Sequence, residues 1–166
     1  MATPSVISQL PDNVFQITGN VNFETYMNDD LRFIDNLLDV LNLHINEWDS
    51  DKVLEKADDV FTAFKRRFGL EDFLIRRIKP TVSMQVTLKE FLKKRQEFRN
   101  ELDNILLLHV DEPDFKTATK HLSHTISKHV TYLKNVFEPS FINKIPEEQM
   151  ASISSDFYRK VLNLSF

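Results

Sequence analysis

The chain contains no cysteine and only two glycines in 166 residues. The missing thiols exclude disulfide frameworks, thiolate nucleophiles and cysteine-ligated zinc or iron–sulfur sites, and they are compatible with a reducing cytoplasm. The shortage of glycine argues against β-rich folds, whose tight hairpins need positive φ, and against the Gly-rich loops that cradle phosphates or dinucleotides. Long hydrophobic runs are also lacking. Nowhere do eighteen apolar residues follow one another, and Met1–Phe15 has neither a cationic leader nor a continuous apolar stretch. Secretion and membrane spanning are therefore not expected, and a cytoplasmic location is. Nor is there an excess of positive charge: the net charge is −4, with acids and bases interspersed. No nucleic-acid partner is expected, and the cluster Lys65, Arg66, Arg76, Arg77 and Lys79 reads as a solvated helix face.

What the chain does have is helical periodicity. Hydrophobic residues make up 42% and charged residues 28%, which suits one globular domain able to bury roughly two-thirds of its unfolded surface. Pro4, Pro11 and Gly19 interrupt residues 1–21, which read as an irregular arm with a short extended piece at Val14–Thr18. Residues 22–166 read as an all-α domain. Ile34, Leu37, Leu38, Leu41 and Ile45 recur at three- and four-residue steps and predict a first helix over 22–46. Asp49-Ser50-Asp51 supplies acceptors for a second helix start, and Val53, Ala57, Val60, Phe61, Phe64, Phe68, Ile75 and Ile78 carry its stripe until Pro80. Gly69, inside that helix, reads as a close helix contact. A third helix is predicted over 83–108, with Leu88, Phe91, Leu92, Phe98, Leu102 and Ile105 inward, and Asp111-Glu112-Pro113-Asp114 then marks a turn. A fourth runs over 114–137, with Phe115, Ala118, Leu122, Ile126, Val130, Leu133 and Val136 on one face, and ends at Pro139. Pro146-Glu147-Glu148 opens a short fifth helix to Leu162. Four long helices with short connections predict an up-down-up-down antiparallel four-helix bundle.

Each of the four stripes is interrupted near its middle by a polar residue. Asp30 precedes Ile34 by four residues; Arg67 and Glu71 continue the row Val60, Phe64, Leu74, Ile78; Arg95 lies between Phe91 and Phe98; His129 lies between Ile126 and Leu133. In antiparallel helices, residues equally far from the connecting loop share a height. Asp30 and Arg67, Arg67 and Arg95, and Arg95 and His129 each match to within about one residue rise of roughly 1.5 Å. A single polar layer inside the bundle is predicted.

Such layers are where bundles build metal sites, and at this point the chain resembles the hemerythrin-like (HHE cation-binding) family. That family places one His on its first helix, His-x3-Glu on its second, one or two His on its third and His-x3-Glu or His-x4-Asp on its fourth. The matching positions here are Asp30, Arg67-x3-Glu71, Arg95 and His129, the last followed by Leu133 and Lys134. Phe68-Gly69-Leu70-Glu71-Asp72, Val136-Phe137-Glu138-Pro139 and the trailing helix 147–162 add to a resemblance that covers about residues 22 to 165. The resemblance implies a fold; the ligands depart from the family's chemistry. Arginine is always protonated and cannot ligate a cation, so Arg67 and Arg95 place positive charge where metal would stand. The expectation is a vestigial site with no metal and no cofactor. In it Arg67 and Arg95 pair with Asp30 and Glu71, and His129 hydrogen-bonds at the edge.

Other histidines offer little. His121, His124 and His129 spread over about 140° of one helix, too wide for one ion without another helix, and His44 and His109 read as surface or loop-proximal. The adjacent pairs Asp29-Asp30 and Glu71-Asp72 diverge on a helix, and no nucleophile sits with a base, so no enzyme activity is expected. The function expected is that of a non-catalytic interaction or regulatory module with a protein partner or a second copy of itself. The alternative is a residual mononuclear metal or oxygen-binding site on Asp30, Glu71 and His129.

Overall fold

In a computed structural model of the chain, the structure describes residues 22–47, 49–106 and 115–165. The expected arm, the turn at Asp111–Asp114 and His109 lie outside the described residues. Those residues form an all-helical protein with no strand among them. No described helix is long and apolar enough to cross a membrane.

Helix α1 spans Phe23–Glu47. Asn22 starts it: its Oδ1 accepts the Thr25 amide at 3.1 Å while its carbonyl accepts that of Tyr26. Helix α2 spans Ser50–Ile75, and Asp49 caps it by accepting the Lys52 amide. It ends earlier than its apolar stripe. Pro80 disfavours helical geometry just before itself, and the chain already tightens at Arg77, whose amide donates to the carbonyl of Leu74 three residues back. Helix α3 spans Val82–Leu106 and buries Met84, Phe91, Arg95, Phe98 and Leu102, with Leu88 and Ile105 half-buried. These positions alternate steps of three and four, so α3 meets the core along one narrow seam. Leu92, expected inward, falls beside that seam and is exposed.

The predicted fourth helix is continuous only from Phe115 to Tyr132, as α4. Leu133–Phe137 widens into one π-helical turn, closed by the Glu138 amide on the Leu133 carbonyl, and a single α-helical turn, α5, follows at Glu138–Ser140. Pro139 explains the widening. It has no N–H to donate, and its ring would clash with a carbonyl four residues back in a regular helix. A 3-10 turn at Ile142–Lys144 then leads to α6, Glu147–Ser165.

Helix α1 packs against α2, α4 and α6, and α4 packs against α3. Long side chains join α2 to α3: Phe98 sits edge-on to Phe64 at 4.9 Å and to Phe68 at 6.2 Å. Helix α6 closes one end. Phe157 contacts the rings of Phe23, Tyr26 and Phe73, and Ser154 Oγ accepts the Phe23 amide at 2.9 Å. That bond satisfies one of the free amides at the start of α1.

Candidate functional site

All five residues predicted for the polar layer are buried: Asp30 and Glu71 completely, Arg67 almost so, and His129 and Arg95 to at least nine-tenths. Their partners differ in part from expectation. Glu71 is the centre, with Oε2 3.0 Å from Arg67 Nε and Oε1 3.4 Å from Arg95 Nη1. Arg67 does not bond Asp30. Its Nη1 donates to the Met27 carbonyl at 2.9 Å, one helical turn earlier on α1, so α1 and α2 are joined through backbone. Arg95 reaches outward and donates from Nη2 to Asp72 Oδ1 at 2.8 Å.

Asp30 is held instead by Arg66, whose Nε donates to Oδ1 at 2.8 Å. Arg66 was expected on a solvated face, and it is 5% exposed, with its guanidinium 4.8 Å from the centre of the Phe33 ring. The rest of that basic cluster, Lys65, Arg76, Arg77 and Lys79, is exposed as expected. A signal for Arg66 exists in the sequence. Ala63, Arg66, Leu70 and Phe73 form a second row beside the first, and its apolar members are buried. Helix α2 faces neighbours on both rows, so its buried arc is wider than one stripe.

Three guanidinium groups thus face three carboxylates, those of Asp30, Glu71 and Asp72. Burial pushes the Asp30 and Glu71 carboxyls above the usual range, and the neighbouring arginines pull them back down. Charge-assisted bonds to fixed guanidinium forks are what make such a group tolerable inside a protein.

His129 stands apart from the network. Its ring stacks on Phe98 at 4.1 Å and 10°, and its Nε2 is enclosed without a hydrogen-bond partner. Among the described residues the hydrogen bond expected of His129 at the layer's edge is not found at Nε2. Burial lowers its pKa to about 3, helped by the positive charges of Arg67, Arg95 and Lys94. It is a neutral, aromatic member of the core. His121 and His124 are exposed and line, with His129, Glu97 and Glu101, a 320 Å³ cleft between α3 and α4. Tyr132 lies in the same cleft, and burial pushes its hydroxyl up to about 12.

The donor set does not fit a metal ion. Asp30 and Glu71 are each engaged by an arginine, and among the described residues no three His, Asp or Glu side chains are placed to hold a cation. No family model, no curated protein and no solved structure matches this chain.

Proposed function

We propose that this chain is a hemerythrin-like, up-down-up-down helical bundle that has exchanged metal for an internal arginine–carboxylate network, and that it serves as a non-catalytic interaction or regulatory module. The observation that carries the reading is Glu71, completely buried between Arg67 and Arg95, at the sequence position that resembles the family's second-helix carboxylate. Two permanent positive charges on this carboxylate repel a cation, and each takes up an acceptor site on one of its two oxygens. With its interior given to holding register, the protein's outer faces are its working part, and the partner is another protein or a second copy of the chain.

Metal analysis of protein purified without chelators tests the first half. Less than about 0.1 equivalent of iron, manganese or zinc is expected, because a carboxylate fixed by guanidinium groups is a poor ligand. Stoichiometric metal would instead favour a mononuclear site on Asp30, Glu71 and His129. Sedimentation velocity across a wide concentration range tests self-association, with a concentration-dependent shift expected if the partner is a second copy.

A further inference from the structure

A hollow of 330 Å³ lies outside the polar layer, where the last turns of α2 meet α6. Gly69 forms part of its wall without a side chain, and Phe73 contributes an aromatic floor. Gly69, expected at a close helix contact, borders this open space. Three cations line the hollow: Arg76 and Arg77 from the end of α2, and Lys160 from α6. One carboxylate lines it, that of Asp72, and its Oδ1 already accepts a bond from Arg95.

The cations differ in how they are held. Arg77 places its guanidinium carbon over Phe73, 3.5 Å from the ring centre, donates to the Phe73 carbonyl at 3.1 Å and stands 3.7 Å from Asp156. Arg76 and Lys160 form no ion pair within 4.0 Å among the described residues. Positive charge at the end of α2 also offsets the negative end of its dipole, which accounts for Arg76 and Arg77. It does not account for Lys160, which comes from another helix and brings its ammonium to 5.5 Å from the same Phe73 ring.

We propose that this hollow binds the phosphate group of a small-molecule phosphate monoester. A dianion matches an excess of positive charge that a monocarboxylate would leave unbalanced, and a guanidinium fork suits phosphate oxygens. The volume is that of a small-ligand site, not of a macromolecular groove. This inference is independent of the metal-free reading of the core.

The test is an NMR titration of the full chain with phenyl phosphate at neutral pH, with phenol as the uncharged control. Saturable shifts confined to Gly69, Arg76 and Lys160 are expected, with none from phenol. Arg76→Gln and Lys160→Gln, both exposed and outside the core, should each weaken binding by at least about threefold. Asp72→Asn removes the repelling carboxylate and should tighten it. Failure to saturate by about 10 mM would overturn the proposal. So would an equal loss in Lys56→Gln, which lies elsewhere on α2, or binding to phosphatidic acid vesicles without binding to phenyl phosphate.

Discussion

Glu71 meets two guanidinium groups and no solvent, so its removal strands charge. Arg95 keeps Asp72, but among the described residues Arg67 is left with the Met27 carbonyl as its hydrogen-bond acceptor and only the longer-range attraction of Asp30. Glu71→Ala is expected to destabilise the fold by roughly 3–5 kcal/mol in urea unfolding, the cost of an unpaired buried charge. A loss below about 1 kcal/mol would mean that the arginine heads reach water. His129 makes a different prediction, through pH. Its folded pKa of about 3 lies below the ordinary value of 6.5, so the unfolded chain binds the extra proton between those values. Its contribution is therefore complete above pH 6.5 and is lost as pH falls towards 3. Asp30 and Glu71, whose carboxyls are raised, act with the opposite sign, favouring the folded state as pH falls. Comparison with His129→Phe, which keeps a ring against Phe98, cancels that background. Below pH 6.5 the stability of the wild type should fall relative to the variant by about 1.4 kcal/mol per pH unit. Parallel curves would mean that the imidazole titrates freely.

At the level of elements, helix starts are set by short side chains that reach their own backbone, and these were legible in part. Asp49 caps α2 where the sequence places an acceptor, whereas Thr81, which accepts the Met84 amide at the start of α3, was not singled out in the sequence. Helix ends were harder to read. Apolar periodicity continues past Ile75 to Ile78 because Ile78 still packs into the core from the turn, so burial outlasts the helix. Pro139 marked the end of the fourth helix, but its effect spreads backward into the π turn at Leu133–Phe137. Nothing local marked the docking of α6 on α1, because Ser154 and Phe23 lie 131 residues apart. Two serial substitutions separate local from long-range support. Asp49→Ala removes an exposed cap and should cost about 1 kcal/mol. Ser154→Ala leaves a buried amide without an acceptor and should cost about 1–3 kcal/mol by the same unfolding measurement. Equal small losses would place the start of α1 in contact with water.

Across the whole molecule, the polar positions on the apolar stripes were legible because every helix rises by the same increment, and Asp30, Arg67, Glu71, Arg95 and His129 are all buried, His129 apart from the ion network. Which arginine meets which acid was not legible. A height argument fixes position along the axis and leaves the angle around it open, so it could not separate Arg66 from Arg67 as the partner of Asp30. The same distinction bears on what the layer is for. Isolated charges brought out of water are repaid only by near-ideal pairing, and apolar residues of similar volume usually do as well or better. Replacing Glu71 together with both its arginines, by Arg67→Met, Glu71→Leu and Arg95→Met, frees only the half-exposed Asp72 and should therefore leave stability unchanged or raise it by about 1–4 kcal/mol, although Glu71→Ala alone is costly. Arg66 and Asp30 remain paired in that variant. If the Glu71 unit holds register, the triple variant should lose dispersion in its methyl NMR spectrum while gaining stability, because the contact between α2 and α3, made apolar at that level, accepts more than one alignment. A triple variant less stable than the wild type by more than about 1 kcal/mol would reverse the argument, making the ion network a net source of stability.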